Sequence, residues 1–324
     1  RQGPILASMP TDHAISTDKL EALRANIERV FIGHRKAVDQ LLCCLIARGH
    51  VLIEDVPGVG KTVLAMALAR SVDCRFSRIQ LTPDLLPSDV LGVTVFDRNS
   101  GEFDFKRGPI FSNIVLADEI NRTTPRTQSA LLESMNEGTV SIDGKVIELE
   151  QPFMVVATQN PYEFEGTYPL PENQLDRFLM RIRLGYPDAD DEARIIEVRP
   201  GDVPLHELVP VMHADDVLKL RRSVDGVRLD RSLIDYIVAI AQATRGHEEI
   251  HLGLSTRGSM ALAQSARASA ILDARDYCIP EDITDNFLPV AGHRVLSRAF
   301  MTGGDARIGE QILSDILETV PSPD

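Results

Sequence analysis

A chain of 324 residues, 44% hydrophobic and 25% charged, carries enough apolar material for a substantial core, and its length suggests two domains. A formal charge of -14 and a sequence pI near 5.0 work against a broad electrostatic grip on nucleic-acid backbones, so nucleic acid is a disfavoured partner. No apolar run approaches the ~18 residues needed to cross a bilayer, and a cytoplasmic protein is expected.

The stretch before Met9 reads as an expression remnant. The "FIGH" segment, Phe31 to His34, reads as a turn between two helices. Cys43, Cys44, Cys74 and Cys278 show no metal-ligand spacing and read as structural thiols.

From His50 the sequence "HVLIEDVPGVGKTVLA" runs an apolar strand through a Gly-rich turn into a helix. Gly58, Gly60, Lys61 and Thr62 supply most of a phosphate loop: backbone N–H groups turn inward, the helix N-terminus points at the same anion, Lys61 neutralises β- and γ-phosphates and the Thr62 hydroxyl faces Mg²⁺. Asp55 stands where the general pattern has glycine; it is expected to hydrogen-bond within its own turn about two residues on, with Pro57 fixing the next bend.

Further strands are predicted at "FSRIQL", "NIVLAD", "FMVVAT" and "FLMRIRL", with helices between several of them, which indicates a parallel sheet covered on both faces. Two insertions interrupt it. The alternation around "DRNSGE" predicts a hairpin carried on a short helix, and Asp143-Gly144 in "GTVSIDGKVIEL" is a strong two-residue hairpin signal.

Open α/β sheets deliver their functional groups at the carboxyl ends of the strands. There, Asp118 is placed to hold Mg²⁺ and Glu119 to polarise an attacking water, and Asn160 ends the next strand in "ATQNP", where a turn before Pro161 is the competing reading. Arg177 in "LPENQLDRF" and Arg257 in "LSTRGSMAL" offer guanidinium groups suited to γ-phosphoryl oxygens, with surface ion pairs as the alternative. After "LGYPDADDEA" the strands are expected to stop; from Asp188 the apolar spacing is helical.

The order of these motifs closely resembles the MoxR family of AAA+ ATPases. The resemblance implies an α/β P-loop fold, a parallel five-stranded sheet sandwiched by helices over residues 1–187, followed by a smaller all-helical lid over 188–324. It makes Gly58, Gly60, Lys61 and Thr62 the Walker A residues, with Pro57, Val59 and Val63 beside them, Asp118 and Glu119 Walker B, Asn160 sensor 1, Arg177 the arginine finger and Arg257 sensor 2; Phe31, Ile32 and Gly33 become adenine contacts. It further implies MgATP hydrolysis in a homo-oligomeric ring, expected to be a hexamer. The ring would mature client proteins or load their metal or cofactor in a chaperone-like way, with a separate partner bearing a von Willebrand factor A domain. A magnesium-chelatase-like motor and a nucleotide-gated scaffold are the alternatives.

Overall fold

A computed structural model describes residues 17–99, 101–161, 166–198, 205–301 and 306–323; the stretch before Met9 lies outside them. The strands are β1 (Val51–Glu54), β2 (Phe76–Gln80), β3 (Gly92–Asp97), β4 (Glu102–Arg107), β5 (Ile114–Asp118), β6 (Thr139–Ile142), β7 (Lys145–Glu148), β8 (Met154–Gln159), β9 (Met180–Ile182), β10 (Ile250–Leu252) and β11 (Leu296–Ser297). The helices are α1 (Thr17–Glu28), α2 (Arg35–Ile46), α3 (Lys61–Ser71), α4 (Pro87–Leu91), α5 (Pro125–Glu137), α6 (Glu172–Leu175), α7 (Ala189–Val198), α8 (Ala214–Gly226), α9 (Arg231–Gly246), α10 (Thr256–Leu272), α11 (Pro280–Ala291), α12 (Arg298–Met301) and α13 (Ala306–Thr319).

The main sheet has five parallel strands in the order β2-β5-β8-β1-β9. Central strands of such a sheet are buried on both faces, which is why β1, β5 and β8 read as unbroken apolar runs, and Val51, Leu52, Val115, Leu116, Val155 and Val156 are fully inaccessible. The edge strand β2 alternates and is half-exposed. On one face the side chains pack with α1, α2, α3 and the helices after α7 in a continuous apolar cluster, so lid and core share one interior. On the other face a second cluster joins the sheet to α5, with Ile110, Val140 and Phe178 within it.

Both insertions form the expected hairpins. The first, β3 paired to β4, follows α4 directly; the second, β6 paired to β7, turns at Asp143 and Gly144, whose φ of 49° and 75° are those a two-residue primed turn needs. The hairpins meet: the Thr94 hydroxyl donates to the Asp143 carboxylate at 2.6 Å.

One expectation fails after Asp188. The lid is not strand-free, because Ile250–Leu252 and Leu296–Ser297 pair antiparallel across it. Segments of this length are too short to express a period-two pattern, and the pairing exists only because α9 and α11 bring their ends together. Among the described residues no helix is long and apolar enough to cross a membrane.

Candidate active site

Parallel strands give the sheet two chemically different ends. At the carboxyl end, β1 leads into Val56–Gly60 and then α3, which begins at Lys61. Gly58 and Gly60 take φ of +90° and +86°, a left-handed region that side-chain-bearing residues enter only with strain, and the turn they make aims the loop's N–H groups inward. Phe31 lies against Gly60, only 3.2 Å from where a Cβ would stand, and Gly33 faces the Asp191 side chain of α7. "FIGH" is therefore a buried wall beside the phosphate loop as well as the turn between α1 and α2: Phe31 and Ile32 are both buried.

The Lys61 ammonium donates to the Asp55 carbonyl at 2.6 Å. Burial pushes its pKa down, against the pull of Asp55, Asp118 and Glu119. The Lys61 ammonium is thus within electrostatic reach of the Asp118 and Glu119 carboxylates. Thr62 and Val63 follow on the first turn of α3, half-buried, while Pro57 and Gly58 are exposed and Val59 is half-buried.

The carboxylate of Asp55 does not close a turn two residues on. Its Oδ1 accepts from the Val56 N–H at 2.8 Å, and its Oδ2 accepts from the Leu184 and Gly185 N–H groups, each at 2.7 Å. It ties the phosphate loop to the end of β9, where the chain leaves the sheet for α7. That partner is invisible in the local sequence, since it depends on β1 and β9 lying side by side.

Asp118 ends β5, and its two oxygens are held differently. The Thr158 hydroxyl donates to Oδ1 at 2.6 Å and the Arg78 guanidinium to Oδ2 at 2.6 Å. Glu119, at φ +58°, is a non-glycine residue in the left-handed region, a conformation that persists where surrounding contacts enforce it. Its N–H donates to the same Thr158 hydroxyl at 3.0 Å, and its Oε2 accepts from Gln80 at 3.0 Å with Arg122 at 3.3 Å. One threonine hydroxyl thus orders both acidic residues. Asn160 is half-buried just past the carboxyl end of β8, where Gln159 accepts from the Asp55 N–H. The structure brings Lys61, Thr62, Asp118, Glu119 and Asn160 to the same end of the sheet; Thr158, Arg78 and Gln80 are additions, recognisable only from the register that sets Gln80 opposite Asp118 and Ala157 opposite Ala117.

The two arginines lie elsewhere. Arg177 lies three residues before β9, and the Leu179 N–H donates to the carbonyl of His50, the residue before β1, so Arg177 stands at the amino end of the sheet. Its guanidinium donates to Leu132 of α5 at 2.7 Å. Arg257, on the first turn of α10, reaches Asn136 at 3.2 Å and Asp176 at 3.5 Å, which sets it beside Arg177. His50 braces this end, accepting from the Val155 N–H at Nδ1 and donating to Met135 from Nε2, both at 2.9 Å; burial holds its pKa down to about 4.

The remaining predictions about cysteine hold. All four thiols are free; three are buried, and burial pushes Cys43 up to about 12 and Cys74 and Cys278 to about 11, which leaves them inert.

A parallel sheet with a phosphate loop after its first strand, acidic residues after β5 and a helical lid is the architecture of an AAA+ ATPase. Residues 50–180 match the ATPase family associated with various cellular activities (AAA), and residues 242–316 match the AAA lid domain. The chain is 39% identical to Chaperone MoxR1 of Mycobacterium tuberculosis, over 96% of this chain and 84% of that one. It is 54% identical to the uncharacterized protein YeaC of Bacillus subtilis, over 80% and 81%. A crystal structure of a candidate ATPase from Cytophaga hutchinsonii superposes with a TM-score of 0.85 at 36% identity, covering 95% of this chain and 96% of that one. The chain belongs to the MoxR family of AAA+ ATPases.

Proposed function

We propose that the protein hydrolyses MgATP at interfaces between copies of itself in a ring, expected to be a hexamer, and uses the cycle to remodel client proteins. The observation that carries the shared site is the separation of its parts. Phosphate loop, Asp118, Glu119 and Asn160 gather at the carboxyl end of the sheet, whereas Arg177 and Arg257 stand together at the amino end. A chain that holds both halves at opposite ends completes a site by setting its amino end against a neighbour's carboxyl end, and repetition of that heterologous contact closes a ring.

The oxygen donors Thr62 and Asp118 suit a hard cation, and among the described residues no group of three or more His, Cys, Asp or Glu side chains could hold a metal, which fits an ion that takes most of its ligands from substrate phosphates. Bound Mg²⁺ neutralises phosphate-oxygen charge. Lys61 and the loop N–H groups grip the phosphates. Glu119, held through its own N–H and Oε2, accepts a proton from the attacking water, and Asn160 orients that water. Phe31, Ile32 and Gly33 wall the base end. Arg177 and Arg257 of the adjoining subunit neutralise charge that develops on the γ-phosphoryl oxygens.

A client role draws support from the name of the chaperone relative and from the joined hairpins, which expose Phe96, Phe103 and Val146; a separate partner bearing a von Willebrand factor A domain is carried by the family resemblance alone. Large apolar side chains held outward on a rigid scaffold are suited to a polypeptide partner. A cytoplasmic setting accords with the free thiols.

Arg177→Ala is the test of the shared site. ATP affinity, measured by titration calorimetry, stays within a few-fold, while turnover at saturating ATP falls about 10³-fold, the lower end of the range for arginine fingers supplied in trans. Turnover close to the unmodified protein would overturn the assignment.

A further inference from the structure

We propose that Arg294 is a positioning residue for Arg177, so that the lid of one subunit sets the turnover of its neighbour's ATP; this rests on the shared-site reading above. Arg294 follows α11 and its side chain is 4% exposed. A guanidinium has five N–H donors, and each finds an acceptor here. Nε donates to Asp176 Oδ1 at 2.7 Å, Nη1 to the carbonyls of Leu179 at 3.0 Å and Val290, and Nη2 to the carbonyls of Asp176 at 3.3 Å and Phe178 at 2.6 Å.

Four of those five acceptors belong to Asp176, Phe178 and Leu179, the residues that surround Arg177 in the chain. His293 adds a bond from Nε2 to the same Phe178 carbonyl at 3.0 Å, and Arg181 of β9 returns one to the Gly292 carbonyl at 2.9 Å. The lid segment 292–294 and the finger segment 176–181 are therefore stitched from both sides. The second oxygen of Asp176 faces Arg257, so the carboxylate that Arg294 anchors also orients the other arginine of the pair.

A strut that only fastened the lid to the core would need one counter-charge anywhere on the sheet. Arg294 instead grips the backbone on either side of the finger. Hydrogen bonds of this length break when their partners separate by an ångström or so, and a misplacement of ~1 Å in a catalytic group costs up to about 10²-fold in rate. Lid displacement thus moves Arg177, and through it the adjoining site.

Arg294→Gln tests this, together with Asp176→Asn, which keeps the buried guanidinium and its carbonyl bonds and removes both ion pairs, so that one variant folds even if the other does not. Each is expected to bind ATP within about 3-fold of the unmodified protein and to lose about 10- to 100-fold in kcat. In an Arg177→Ala background Arg294→Gln lowers kcat no further, whereas Asp176→Asn, which also frees Arg257, is read in the Arg177 protein alone. Mixing Arg294→Gln with Lys61→Ala restores turnover, because the Lys61→Ala subunit brings an intact finger to the intact nucleotide site of its neighbour. Full kcat in a folded variant, a further loss when Arg294→Gln is added to Arg177→Ala, or no rescue by Lys61→Ala would each overturn the proposal. Should Arg177→Ala itself leave kcat unchanged, the shared-site reading falls first, and that outcome is read from the single variant alone.

Discussion

The two ends of the parallel sheet are built by opposite means. At the carboxyl end the candidate groups sit at strand ends, on loops and on first turns: Thr158, Arg78 and Gln80 hold Asp118 and Glu119, and the Asp55 carboxylate holds the phosphate loop. At the amino end Arg177 is half-buried and Arg257 exposed, but the backbone around them is held by buried polar side chains: His50, Arg294 and, further along, Arg221, whose guanidinium reaches Leu45, Gln151 and Phe153. The carboxyl end exposes Pro57 and Gly58, and the Glu54–Arg183–Glu310 ion pairs join it to α13. The end that would act on a neighbour is welded to the lid. Under the proposed shared site, such a subunit would bind its own nucleotide at one pole and report its lid position at the other.

Lesions at the two ends should separate accordingly. The largest effect at the carboxyl end is expected from Glu119→Gln, which binds ATP within a few-fold yet loses about 10²- to 10⁴-fold in turnover, the range for a general base; substantial hydrolysis in a phosphate-release assay would remove Glu119 from its role. Thr158→Val comes next. It takes away the donor to Asp118 and leaves the Glu119 N–H without its acceptor, a desolvation cost of about 1–3 kcal/mol, and an accompanying loss of about 10-fold in kcat with little change in ATP affinity is expected. Equal kcat would show that the Walker B pair orders itself.

Asp55→Gly probes the tie between phosphate loop and domain junction. It strands the N–H groups of Val56, Leu184 and Gly185, so a loss of about 2–4 kcal/mol in urea unfolding is expected. Asp55→Asn, which keeps one acceptor oxygen, should lose less. Equal stability of all three proteins would mean that water replaces the carboxylate.

The smallest effect is a pH dependence at the amino end. The folded pKa of His50 is about 4 against 6.5 for a free ring, so the folded protein keeps the ring neutral where the unfolded chain takes up a proton. Its contribution is fully present above pH ~6.5 and is lost as pH falls from there towards 4. Between pH 7 and pH 5 this removes about 2 kcal/mol of unfolding free energy, and His293, also held down chiefly by burial, acts in the same direction. His50→Gln should flatten the profile over that interval; an unchanged slope would assign the acid sensitivity to other groups.

How much of this was legible depends on whether a signal was local. The phosphate loop, Asp118-Glu119 and Asn160 could be read because each ends a fully buried strand, where a polar residue stands out against an apolar run. The Asp143-Gly144 hairpin could be read because only a few residue pairs tolerate its backbone. Asp55 misled because its partners are 129 and 130 residues away, across the β1–β9 pairing. Arg294 gave no signal at all: in "AGHRVL" it resembles an ordinary cation at a helix end, and its burial follows from a contact between segments that are 116 residues apart. The sequence also named Arg177 and Arg257 without revealing that they share a pole of the molecule; that follows only from the direction of β9.

The central claim is that each ATP site is completed by a second copy of the chain. It is tested most directly by mixing Lys61→Ala protein, which has no working phosphate loop, with Arg177→Ala protein, which has no finger, and measuring ATP hydrolysis across mixing ratios in rings verified to contain both. Turnover that is absent from each variant alone and passes through a maximum in the mixture is the predicted result. Mixed rings that stay inactive at every ratio would contradict it.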